Sequence, residues 1–175
     1  MRVGHYALAG FFSYLRIAPD ELCILSPAGL TSLSEARVEI APGEHVLIIG
    51  EPRSGKTRLF LAMAGLWTSG SGRIRLPSAE SVLFVPKRAY IPDLSLRAII
   101  SYPSPSSDFS EEANVAALTR FDLGHFAFLL DRGARWEKEL TDPEQQRLAF
   151  ARVLLHKPRF VVVDEAIESL SPRAR

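Results

Sequence analysis

His45-Val46-Leu47-Ile48-Ile49-Gly50-Glu51-Pro52-Arg53-Ser54-Gly55-Lys56-Thr57 is the stretch that decides how this chain is read. Its first five residues form a short, almost wholly apolar and β-branched run. Such a run marks a strand covered on both faces in a parallel sheet. The next eight satisfy GxxxxGK[ST], and after them Leu59, Phe60, Ala62, Met63 and Leu66 recur at helical spacing. Strand, glycine loop and helix in that order are what a phosphate-binding loop requires. The glycines let the backbone curl so that successive N–H groups point at phosphate oxygens, and the dipole of the following helix adds to the attraction. Gly50, Glu51, Pro52, Arg53, Ser54, Gly55, Lys56 and Thr57 are therefore the expected nucleotide-binding residues. Lys56 brings charge to the β and γ phosphates, and Thr57 offers its hydroxyl to Mg²⁺.

A second feature lies far downstream. Phe160-Val161-Val162-Val163 reads as another doubly buried strand, and Asp164-Glu165 places two carboxylates just past its C-terminal end. Ligands of open parallel sheets bind at that end. Asp164 suits a Mg²⁺ ion or a water bound to it, and Glu165 suits orienting, or taking a proton from, an attacking water. A nucleotide bound with Mg²⁺ is the ligand these two features jointly imply, with Mg²⁺ as the metal.

Between them the chain reads as follows. Residues 11–17 form an apolar, aromatic strand closed by a turn at Pro19-Asp20, and residues 36–40 a half-exposed strand before a tight turn at Pro42-Gly43. Gly70-Ser71-Gly72 is a turn and residues 82–85 a buried strand. Residues 96–140 have mostly helical spacing, with Ser110-Glu111-Glu112 as a helix start and Gly124 as a break. Residues 144–156 are a strongly patterned helix closed by Pro158. The expected architecture is α/β: a P-loop NTPase fold with a central, mostly parallel sheet, N-terminal antiparallel strands and a helical insert. One domain over residues 1–175 is expected, with its core at about 11–95 and 158–175 and the insert at about 96–157.

Composition narrows the partners. Apolar residues make up 47% and charged residues 23% of the chain, which is ordinary for a globular protein. A net charge of +1 supplies no basic field for nucleic acid. Cys23 is the only cysteine, which excludes an internal disulfide and any CxxC motif and suits a reducing compartment. The uncharged stretch at 3–15 is well short of the roughly 20 apolar residues that a spanning helix needs. No small-residue cleavage site follows it as in a secretory signal.

With these residues in hand, the chain resembles the nucleotide-binding domain of an ABC transporter. Leu140-Thr141-Asp142-Pro143-Glu144-Gln145-Gln146-Arg147 and the residues to Leu155 look like that family's signature helix, and residues 161–165 like its Walker B strand. Ala64-Gly65-Leu66-Trp67, residues 70–77 (GSGRIRLP) and residues 84–99 (FVPKRAYIPDLSLRAI) are similar to the fused permease-ATPase subfamily of peroxisomal fatty-acid transporters and their bacterial relatives. The resemblance implies a head-to-tail pair of such domains, with ATP between the phosphate loop of one and the signature of the other. The implied partners are therefore a second nucleotide-binding domain and a membrane permease, with the chain peripheral at the cytoplasmic membrane face. It implies Glu165 and Lys56 as catalytic groups and Thr57 and Asp164 as metal ligands.

The departures from the family pattern carry their own expectations. Lys87 stands where the resemblance expects a glutamine. It is read either as a solvated surface lysine or as a cation reaching the γ-phosphate. Thr141-Asp142-Pro143-Glu144 replaces Ser-Gly-Gly-Glu. Pro143 has no N–H to offer, and Asp142 brings negative charge toward a phosphate. Thr141 with Glu144 instead makes a capping-box pattern, while Asp142-Pro143 would also suit an N-cap followed by the first helical residue. Ser169-Leu170-Ser171 falls at the D-loop with serine for its aspartate, Ala18-Pro19 takes the place of an adenine-stacking aromatic, and the family's switch histidine is expected beyond Arg175. His156 is not expected to replace it. These features leave two functions open, an energy-coupling ATPase subunit that hydrolyses weakly by itself and a regulatory or structural module that binds ATP and hardly hydrolyses it. A remnant of a longer transporter gene is a third.

Overall fold

Alternating and β-branched residues build the first part of the chain as strands, and the 3.6-residue pattern takes over in the second. The computed structural model describes residues 2–3, 15–26, 29–32, 38–41 and 43–166. The expected features at 4–14 and at Ser169-Leu170-Ser171 lie outside these residues. The described chain divides into two compact units, residues 1–84 and 85–175.

In the first unit, β1 (Arg2–Val3), β2 (Leu15–Ser26), β3 (Gly29–Ser32), β4 (Val38–Ile40) and β5 (Ile48–Ile49) precede α1 (Lys56–Met63) and β6 (Gly70–Arg75). β2 is the hub, pairing antiparallel with β3, β4 and β6. The expected turn at Pro19-Asp20 is instead interior to β2. Proline has no N–H for a ladder, and the pairing with β6 shifts register here: Ala18 faces Arg73, but Cys23 faces Ser71. The extra length of β2 is absorbed as a bulge. The expected turn at Gly70-Ser71-Gly72 is likewise the start of β6. A Cβ on Gly70 would lie 2.1 Å from the Cys23 carbonyl oxygen, so glycine allows two backbones to approach where a side chain would part them.

The run at 45–49 also differs from its expectation. Only Ile48–Ile49 is strand, it pairs antiparallel with β1, and Leu47 and Ile49 are 69% and 64% exposed. An apolar run states that its residues can be covered on both faces; whether anything covers them depends on distant chain. α1 buries Leu59, Phe60 and Met63 as the spacing requires, but Leu66 lies past its end, exposed, after Gly65 at φ +73. Leu22, Ile24, Val38, Ile40 and Val82 are buried with them. The Phe60 ring meets that of Phe84 edge-on at 5.5 Å.

In the second unit, after β7 (Val82–Val85), come α2 (Leu96–Ser101), α3 (Glu111–Arg120), α4 (Trp136–Glu139), α5 (Asp142–His156) and β8 (Phe160–Val163). α3 begins where the sequence places it, with the Ser110 hydroxyl accepting from the Ala113 N–H at 3.2 Å. The helices enclose Trp136, Leu96, Ile99, Ile100, Leu118, Leu123 and Leu148, none more than 1% exposed. Arg152 of α5 is 7% exposed and donates to the carbonyls of Ile99 and Tyr90, each at 2.8 Å. Burial pushes its pKa down to about 10, so it keeps its charge at neutral pH and ties α5 to α2. β8 is not doubly buried: Phe160 and Val162 are inside, while Val161 is 40% exposed. Alternation of this kind marks a strand with one face open.

Candidate nucleotide site

The loop at 50–57, in the first unit, is shaped by two left-handed residues, Arg53 at φ +66 and Gly55 at φ +96. The Ser54 N–H donates back to the Glu51 carbonyl at 3.1 Å, closing a turn. Lys56 Nζ donates to the carbonyls of Gly50 at 2.9 Å and Glu51 at 3.1 Å. The ammonium is thereby held on the loop's own backbone. α1 opens directly from Gly55 with no side-chain cap and no acidic residue in its first turn. No carboxylate within its own first turn competes for its leading N–H groups or the positive end of its dipole.

The Ser54 hydroxyl oxygen in the same loop is buried without a hydrogen-bond partner. Buried hydroxyls are nearly always satisfied. Oxygen-rich phosphate groups would satisfy this one and suit the positive helix N-terminus and the Lys56 ammonium beside it. The residues present fit a nucleoside triphosphate. No cluster of three or more His, Cys, Asp or Glu side chains able to hold a metal occurs among the described residues. Mg²⁺ that accompanies a nucleotide generally takes part of its coordination from the phosphates.

In the second unit the sequence-predicted carboxylates part company. Asp164 is buried, 6% exposed, and its N–H donates to the Val85 carbonyl at 3.0 Å. Glu165 is exposed and left-handed, φ +49. Its Oε2 accepts from Lys87 Nζ at 2.6 Å. The Lys87 side chain is 64% exposed, and its ammonium is engaged in this ion pair. The backbone beside it is fixed by Gln146 of α5, whose Nε2 donates to the carbonyls of Pro86, at 3.1 Å, and Lys87. Two carbonyl partners settle which end of the amide points there. No local pattern in the sequence announces this role of Gln146, whose partners are some 60 residues away.

The segment before α5 forms the capping box its residues spell. Thr141 is the N-cap, so Asp142 and Pro143 are the first two helical residues. Asp142 is thus not the N-cap. Glu144 Oε2 accepts from the Thr141 N–H at 2.8 Å and from its hydroxyl at 2.6 Å. Burial alone would raise the Glu144 pKa, but the bonds from Thr141, with Arg147 and His125 nearby, outweigh it and hold the carboxyl below its ordinary value. This helix start already carries a carboxylate on its own amide. The N-terminus of α1 carries none. His156, at the end of α5, packs edge-on against Phe109 at 4.9 Å, and burial lowers its pKa.

The family model described as ABC transporter matches residues 33–168. An uncharacterized ABC transporter ATP-binding protein of Haemophilus influenzae is 36% identical over 149 residues, covering 85% of this chain and 25% of that protein. ABC transporter D family member 1 of Arabidopsis thaliana is 33% identical over 166 residues, covering 87% of this chain and 12% of that one. The chain thus spans a quarter or less of these relatives. Among solved structures, a bacterial Atm1-family ABC exporter with ATP bound superposes with a TM-score of 0.73 at 20% identity, over 99% of this chain and 33% of that one. That likeness is one of fold: an α/β P-loop ATPase.

Proposed function

The chain belongs to the ABC transporter family, and from that premise we propose that it is an ATP-binding part of a transporter that binds MgATP and hydrolyses it weakly by itself. The observation that carries this reading is the loop at 50–57. It has an ammonium held on its own backbone, a helix N-terminus with no side-chain cap and no acidic residue in its first turn, and an unpartnered buried hydroxyl. The phosphates would lie against the N–H groups of residues 53–57, with Lys56 on the β and γ groups. In the first unit the Thr57 hydroxyl would hold Mg²⁺, which when bound would neutralise phosphate charge. Glu165 would take the proton of the attacking water. The water oxygen bonds to the γ-phosphorus, the bond to the β,γ-bridging oxygen breaks, and its electron pair leaves on ADP.

Weak turnover follows from α5. In a pair of such domains its N-terminus would face the partner's nucleotide, and Pro143, Asp142 and the capped Thr141 offer that phosphate little. The chain's own loop and Glu165 would work against an intact signature on a different partner, so a heterodimer attached to a permease at the cytoplasmic membrane face is the assembly we propose. No helix among the described residues is long and apolar enough to cross a membrane.

The test is MgATP hydrolysis by the purified chain beside an Asp142→Gly/Pro143→Gly double variant and Glu165→Gln. Turnover that rises in the first and vanishes in the second supports the proposal. ATP binding without turnover in all of them would favour the regulatory reading, which the Lys87–Glu165 pair at 2.6 Å favours on its own account.

A further inference from the structure

The ion pair between Lys87 and Glu165 joins residues 78 apart in sequence, and it is not a chance meeting of two flexible side chains. The backbone under each is pinned. Gln146, itself 8% exposed, donates its amide to the carbonyls of Pro86 and Lys87. The N–H of Asp164 is bonded to the carbonyl of Val85 at 3.0 Å. Glu165 then turns left-handed at φ +49, and its carboxylate meets the ammonium at 2.6 Å. From this geometry we infer that Lys87 is a positioning residue that restrains Glu165, so that the carboxylate must leave the ammonium before it can take a proton from water. The inference rests on the assignment of Glu165 as the base.

The pair is 64% and 49% exposed at its two side chains. Ion pairs this open to water are weak and break readily. Lys87 therefore slows turnover without abolishing it. A neutral amide at position 87 would remove this ion pair from Glu165 Oε2. A faster chemical step is therefore expected. A lysine that instead served the γ-phosphate directly would show the opposite sign in the chemical step, because its removal would take charge stabilisation from the transition state.

The experiment is steady-state and single-turnover hydrolysis of γ-labelled MgATP by the whole chain, its Lys87→Gln and Lys87→Arg variants, and Glu165→Gln. Lys87→Gln is expected to raise kcat by roughly threefold, the size an exposed pair can supply, with KM unchanged or higher. Lys87→Arg keeps the charge and gains less. A kcat for Lys87→Gln equal to or below that of the unaltered chain overturns the inference. Full activity in Glu165→Gln would instead overturn the assignment of the base, whatever Lys87→Gln does.

Discussion

Gly55→Ala tests the shape of the phosphate loop more sharply than any change to its charged residues. The added methyl would lie 2.3 Å from Thr31 Oγ1, 2.7 Å from its Cγ2 and 3.0 Å from its Cβ. Thr31 is buried, 7% exposed. The backbone at φ +96 costs any L residue about 1–2 kcal/mol, and forcing extra atoms into a filled site costs about 1–3 kcal/mol more. The two together predict a loss of about 2–5 kcal/mol, a large share of the ~5–15 kcal/mol that a domain has. In a Thr31→Ala background the two closest atoms are gone, so the same change should cost only the backbone part, about 1–2 kcal/mol. Urea unfolding of all four chains, followed by circular dichroism, closes the cycle. A Gly55→Ala loss under about 0.5 kcal/mol, or an equal loss in both backgrounds, would refute the contact and the conformation assigned here.

Glu144→Ala removes both bonds to Thr141 and should cost about 1 kcal/mol at neutral pH. Because the folded carboxyl sits below its ordinary 4.5, the difference between the two proteins persists above that value and shrinks as pH falls through the depressed one; urea midpoints across acid pH read it. Arg152→Met leaves the carbonyls of Ile99 and Tyr90 without donors and should cost about 2–4 kcal/mol, seen in the same unfolding assay and in faster amide exchange along α2.

The parts of this molecule legible in its sequence are those whose causes are local. Gly50 to Thr57 spells its own curl, because the glycine, the lysine that returns to the Gly50 carbonyl and the helix that follows all lie within a few residues. Thr141 and Glu144 likewise contain the whole of their capping box. What failed to show depended on distant chain. The run at 45–49 is apolar enough for a strand covered on both faces, yet Leu47 and Ile49 are exposed. Gly70-Ser71-Gly72 looks like a turn until Cys23 is laid against it. Lys87 read as solvated or phosphate-seeking, since nothing near it in sequence names Glu165 or Gln146 as its neighbours.

The central claim is that residues 50–57 hold the phosphates of MgATP. Equilibrium dialysis of labelled ATP against the purified chain, with and without Mg²⁺ and beside Lys56→Ala, tests it most directly. Saturable, Mg²⁺-strengthened binding that is lost in Lys56→Ala, with the variant's urea midpoint within the scatter of the unaltered chain, is the predicted result. Binding of equal strength in Lys56→Ala, or none in the unaltered chain, would contradict it.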